Sequence, residues 1–312
     1  MPEVLQIGVV VVADVICDAP MEEISLKVCF RTLRASSSLR WYEQELFEKI
    51  SAAVLVRFTE NGGVFSDPRP DTRFLHIAPA IYHLALASHV DPELAEAIIE
   101  QLKDTDRVAE RLRVWSSVMG DDSPSAMRRL VGASGQMLWA ASAMKCISED
   151  GLLPATRVKP VFDMLMDLSD SDGKASDRLG SIAAINDMYK FTTGFNFVLR
   201  GSELRREEVL RGRVANWLNG KVGGSFIDSF VDEELTGGNT VDVVIGDPQH
   251  KRGVIVAPRN ACYRSHVDGR RDRAPMATRL AVAALERLGW KVGVVSEALL
   301  EPVSEEEVIA EV

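Results

Sequence analysis

The chain has 312 residues, a formal net charge of -10 and a composition that is 46% hydrophobic and 26% charged. That length predicts about two domains with real cores, and the apolar share is that of a soluble globular protein rather than a disordered one. The acidity argues against a surface that binds nucleic acid non-specifically over its whole extent, while leaving room for a local basic face.

The first apolar run, "VLQIGVVVVADVIC" (Val4–Cys17), is too short to span a membrane and contains Asp14. Its β-branched residues predict a buried strand. It lacks the basic flank of a secretory signal, and no segment reads as a targeting peptide. Ser38–Phe58 alternates apolar and charged positions at helical spacing, and the Gly- and Pro-containing stretch Glu60–Arg73 reads as a loop or linker. The four cysteines, Cys17, Cys29, Cys146 and Cys262, form no CxxC and lack zinc-ligand spacing with histidine, so they read as reduced structural thiols.

A helical hairpin follows. Ile77–Ser88 is apolar on most sides, and Asp91 is placed to cap a second helix with Pro92 at its first position. Gly132–Leu168 repeats the arrangement: a small-residue-rich helix around Trp139, then an amphipathic one. Tyr82 and Trp139 hold comparable places in the two hairpins, at irregular spacing. The segment reads either as stacked hairpins of an α-solenoid or as a plain bundle. His76 and His83, seven apart, can share a helix face. Leu179–Phe191 and Gly201–Lys221 read as further helices, and Ser169–Asp177 as a polar loop. Thr236–Thr240, "TGGNT", is a breaker before the last module. The expected division is therefore 1–70, a segment with a possible strand and helices; 71–235, a helical-hairpin domain; and 236–312, a small α/β domain.

In that last module "VDVVIGD" and "RGVIVAP" read as strands, the second apolar on both faces and hence central. An arginine-loaded loop leads to a helix over Met276–Leu288, whose stripe Leu280, Ala284, Leu285 and Leu288 faces the sheet. Gly289 permits a left-handed turn, Trp290 packs back on the helix end, and Trp290–Val295 forms a last strand that can run parallel to an earlier one.

This order, with Asp242 in "VDVVI", the strand "VIVAP", and Thr278, Leu285, Leu288, Gly289, Trp290 and Val292 in a T-x6-L-x2-L-G-W-x-V tail, resembles the RAP domain. RAP domains occur in organellar RNA-processing factors and in the FAST-kinase family. The resemblance covers about the last 75 residues. It implies an α + α/β chain: an N-terminal all-helical hairpin array or bundle, then a small endonuclease-like domain. It also implies a mitochondrial or plastid role in RNA stability, processing or ribosome function. The sequence departs from the family in its central strand, where "VIVAPRN" replaces a pattern like IEVDGP followed by His, and in "AVAAL" where the helix is usually basic.

The RAP fold is similar to that of PD-(D/E)xK nucleases, which need two carboxylates and a lysine around Mg²⁺ to activate water and neutralise a phosphate. Asp242 is the candidate first carboxylate, but Val254, Ile255 and Val256 supply no further ligand. No catalytic set, metal site or cofactor is assigned, and the chain reads as non-enzymatic. The stronger signal is cationic. Between residues 200 and 282 there are 14 Lys/Arg against 11 Asp/Glu, the one segment with a positive excess. Arg259, Arg264, Arg270, Arg271, Arg273 and Arg279 lie within 21 residues, with Tyr263 and His266 interleaved. Guanidinium groups hold phosphates bidentately and aromatic rings stack on unpaired bases, so these eight are the candidate nucleic-acid-binding residues. The competing reading is a solvated loop salt-bridged by Asp268 and Asp272. Arg205, Arg206, Arg211 and Arg213 either extend the cationic face or pair with Glu207 and Glu208 on a solvated helix. The expected partner is single-stranded or ribosomal RNA, and no membrane. The alternatives are a protein–protein scaffold within a ribonucleoprotein and a Mg²⁺-dependent nuclease.

Overall fold

A computed structural model describes residues 12–66, 73–119, 123–148, 155–170, 214–216, 226–232, 234–236, 240–257, 262–265 and 273–296. The chain divides into two compact units, Met1–Thr193 and Gly194–Val312. The first is helical and the second carries a four-stranded mixed sheet.

In the first unit, residues 12–18 are helical, not the strand expected from their valines. Ala13 and Ile16, three apart, are buried while Val12 and Val15 face solvent, so one-sided burial at helical spacing overrides β-propensity. Residues 4–11 lie outside the described set. The helix expected over Ser38–Phe58 is interrupted. Helix α1 (Leu26–Leu39) ends at Arg40 in the left-handed region, φ 51°. Trp41 and Tyr42 are extended and both buried, and α2 (Gln44–Thr59) follows.

Helices α3 (Phe74–Leu86) and α4 (Pro92–Leu102) form the expected hairpin. Asp91 caps α4 through its Oδ1, which accepts from Leu94 N–H at 2.9 Å, and its Oδ2 accepts from Ser51 Oγ at 2.6 Å. One carboxylate thus ends one helix and ties it to α2. Helix α5 (Thr105–Val118) starts at Asp104, whose carboxylate accepts from Arg107 N–H. Helices α6 (Ser123–Ile147) and α7 (Ala155–Asp170) make the second hairpin. Helix α3 packs between α1 and α6, while α4, α5 and α7 also lean on α6. The serines and alanines of α6 let its neighbours come close, and its buried Ser134 and Ser142 hydroxyls donate to the carbonyls of Leu130 and Leu138. Tyr82 and Trp139 meet there with ring centroids 5.3 Å apart. His76 and His83 share a face as expected, both against Phe30 at 6.2 and 6.1 Å. Glu96 of α4 pairs with Lys145 of α6 at 3.0 Å and Arg157 of α7 at 2.9 Å, linking three helices. Residues 26–59 pack on the α3–α4 hairpin within the same compact unit.

The sheet of the second unit runs β1 (Phe226–Val231), β2 (Thr240–Ile245), β3 (Arg252–Ala257), β4 (Lys291–Ser296) in spatial order. β1–β2 and β2–β3 are antiparallel, and β3–β4 is parallel, joined through α8 (Met276–Arg287). The boundary expected at 236 is corrected by β1, which pairs with β2 and brings the sheet's start ten residues upstream. "FIDSFV" gave little strand signal because its apolar positions are split by a polar pair. β3 is central, as its two apolar faces required. Val243, Val254, Val256 and Val295 pack with Val214 on one side. Val241, Val244, Ile255, Leu285 and Trp290 pack on the other. Burying a side chain such as Leu285 contributes ~2 kcal/mol.

The turn after α8 behaves as its sequence demands. Gly289 has φ 85°, its N–H donates to Glu286 C=O, and Trp290 N–H reaches back to Leu285 C=O. The Trp290 indole N–H donates to Leu235 C=O at 2.7 Å, anchoring the chain between β1 and β2. Gly253 has no room for a side chain, since a Cβ would lie 2.3 Å from Val241 Cγ1.

Of the helices expected at Leu179–Phe191 and Gly201–Lys221, only residues 214–216, which are helical, belong to the described set.

Candidate nucleic-acid interface

The cationic loop leaves the end of β3 and returns at the start of α8. Arg259, His266, Arg270 and Arg271 lie outside the described residues, as do Arg205, Arg206, Arg211 and Arg213. Four candidates are placed: Tyr263, Arg264, Arg273 and Arg279.

Tyr263 is not a stacking platform. It is fully buried, at 0% exposure, and its N–H donates to Arg273 C=O at 2.9 Å in an isolated antiparallel bridge. An aromatic between arginines reads as a base-stacking residue in sequence. In the fold its ring is buried and its backbone pairs with that of Arg273. The expectation is corrected accordingly. Cys262 beside it is also buried.

Arg264 is exposed, and Arg273 and Arg279 are half-buried. Each of the three keeps a protein partner. Arg279 stands in the first turn of α8. That turn contains no acidic residue, and Pro275 at its N-cap position supplies no side-chain cap. The free amide groups and positive dipole end of a helix favour anions, and an arginine there adds to the same sign. Arg264 and Arg273 thus lie at the Tyr263–Arg273 bridge, and Arg279 lies in the uncapped first turn of α8 that follows it in the chain.

Asp242 sits at an irregularity in β2. The β1–β2 ladder pairs Asp228 with Val243 and Phe230 with Val241, skipping Ser229 and Asp242, and Ser229 has φ 56°. Val241 and Val244, three residues apart, face the same core cluster, which a regular strand does not allow. At this kink the Asp242 Oδ2 accepts from Val256 N–H at 2.7 Å. A side-chain carboxylate thus serves as a ladder acceptor for β3. Val254, Ile255 and Val256 of β3, where the sequence offers no second carboxylate or lysine, are buried. Among the described residues no three His, Cys, Asp or Glu side chains gather as a metal site. No described helix is long and apolar enough to cross a membrane. None of the four cysteines forms a disulfide, and burial raises the thiol of Cys29 to about 11.

The opposite end of the sheet holds cations that the sequence reading missed. The 3₁₀ turn Pro248–His250 leads through Lys251, in the left-handed region at φ 50°, into β3. Lys251 Nζ donates to Leu288 C=O at 2.7 Å, and Lys291 N–H donates to Lys251 C=O at 2.8 Å. Arg252 and Lys291 are register partners on β3 and β4, and both are exposed. They are 39 positions apart in sequence, so only the parallel register joins them. The available signal was that "RGVIVA" and "KVGVVS" each open on a basic residue.

No family model, curated protein or solved structure matches the chain.

Proposed function

We propose that the sheet-bearing unit is a degenerate RAP-like domain, endonuclease-like in fold and without hydrolytic machinery. In this reading it contacts RNA in mitochondrial or plastid RNA metabolism, serving RNA stability, processing or ribosome-associated work. The helical unit serves as its scaffold. The module order supports the fold part of this reading: hairpin, arginine loop, helix, and a last strand parallel to the third. The observation that carries the functional part is a contrast within one small sheet. Its nuclease-equivalent strand is buried valine and isoleucine, with the Asp242 carboxylate engaged by Val256 N–H, while its rim collects arginines in a chain that is acidic overall. Phosphate contacts need cations at a rim and no ligands in the core.

Binding of single-stranded RNA by the full chain is expected to weaken linearly with the logarithm of salt concentration. Charge reversal at Arg270, Arg271 and Arg273 to Glu is expected to abolish it. Unaltered binding in that variant would remove the arginine segment from the interface. The acidity of residues 1–199, with 20 Lys/Arg against 28 Asp/Glu, favours a second reading. In it the chain is a scaffold subunit of a ribonucleoprotein whose helical unit docks a basic protein. Co-purification of such a partner by residues 1–193, with no RNA bound by the whole chain, would favour that reading. Mg²⁺-dependent RNA cleavage lost on Asp242→Ala would instead establish a nuclease.

A further inference from the structure

We infer that the Arg252–Lys291 pair is a second phosphate contact for RNA, at the end of the sheet opposite the arginine loop. The inference rests on the RNA-contacting reading above and extends it to residues that reading did not include. The pair begins two parallel strands in direct register. Side chains at register positions point to the same face and lie about 5 Å apart. Arg252 shares its face with Val254 and Val256 by strand alternation, and Lys291 shares that face with Val295, all in the core cluster that includes Val214. Two like charges so placed repel each other, a destabilising arrangement for a sheet. Neither cation has a hydrogen bond or ion pair among the described residues.

The backbone that presents them is fixed. The Lys251 ammonium donates to the Leu288 carbonyl and the Lys251 carbonyl accepts from Lys291 N–H, so the β2–β3 turn and the α8–β4 turn are tied at two points. The nearest acid in the β2–β3 turn, Asp247, is occupied as a cap, its Oδ1 accepting from Gln249 N–H at 2.9 Å. His250 and Arg287 stand at the same end, both exposed. A guanidinium and an ammonium side by side on a rigid edge suit a phosphodiester oxygen pair, which relieves their repulsion when bound. With arginines beyond one end of β3 and this pair at the other, the two sets of contacts lie a strand's length apart. That length is about 20 Å for six residues.

The test uses the full chain and a fluorescent single-stranded oligouridylate, with affinity read by anisotropy across a salt series. Three proteins are compared: the unaltered chain, Arg252→Gln/Lys291→Gln, and the control Lys27→Gln/Arg31→Gln, which removes the same charge from exposed positions of the helical unit. The sheet-end variant is expected to bind about tenfold more weakly, with a salt slope shallower by about 1.4, the value for two lost phosphate contacts on a single strand. The control is expected to bind as the unaltered chain does, and circular dichroism melting checks that both variants remain folded. Unchanged affinity and slope in a folded sheet-end variant would overturn this inference and leave the proposed function standing. An equal loss in the control would also overturn it, by showing a net-charge effect. Absence of RNA binding by the unaltered chain would overturn both.

Discussion

At the scale of single residues, Asp242 shows how two roles for one carboxylate make different chemical demands. A metal-binding carboxylate would tolerate little change of charge, whereas a ladder acceptor needs only an oxygen at the right place. Asp242→Ala leaves Val256 N–H without its acceptor and is expected to cost about 1–3 kcal/mol of stability. Asp242→Asn keeps an acceptor oxygen and is expected to cost less, as read from urea unfolding midpoints. Equal losses would mean that the charge matters, not the hydrogen bond. His83 gives a second residue-scale test. Burial, with Arg34 adding repulsion, lowers its ring from 6.5 to about 4, and its Nδ1 lies 3.0 Å from Ser37 Oγ. The unfolded chain takes up this proton as pH falls through 6.5, and the folded chain only near 4. The stabilisation of the native state is therefore complete above 6.5 and is lost as pH falls toward 4, by up to roughly 3 kcal/mol. His83→Gln is expected to flatten the difference in unfolding free energy between pH 7 and pH 5. An unchanged difference would place the titration elsewhere.

At the scale of elements, caps and turns were legible because their chemistry is local. Asp91 before Pro92, and Gly289 before Trp290, each need only neighbours in sequence to act, and both act as read. Asp91 does more than its sequence showed, since its second oxygen takes the hydroxyl of buried Ser51 on α2. Asp91→Ala is therefore expected to cost about 2–3 kcal/mol, above that of an ordinary cap, because the buried Ser51 hydroxyl also loses its acceptor. A double-mutant cycle with Ser51→Ala is expected to show coupling, and strict additivity would argue against the tie. Elements whose identity depends on distant partners were not legible. Residues 12–18 carry strand-like valines but bury one helical stripe, and "FIDSFV" becomes a strand only because β2 offers it an edge. The same limit hid where the candidate residues lie. Tyr263 reads as a solvent-facing aromatic but is buried in the fold, and Arg252 and Lys291 become neighbours only through parallel pairing.

At the scale of the whole molecule, charge and architecture divide together. The helical unit holds an acidic excess and stitches its own helices through Glu96, Lys145 and Arg157. The sheet unit carries cations at both ends of a strand whose interior is apolar. An acidic chain that binds RNA must do so through such a confined face, since its global field repels a polyanion. The arrangement also accounts for the absence of a legible catalytic set in β3: valine and isoleucine there build a core with two buried faces. The most direct measurement is the salt dependence of single-stranded RNA binding by the full chain in Mg²⁺, with the RNA recovered and sized afterwards. A log–log slope of several units, confined to variants that keep the sheet-unit arginines, with the RNA recovered intact, is the expected result. Salt-independent binding, no binding, or shortened RNA would contradict a cationic, non-hydrolytic sheet.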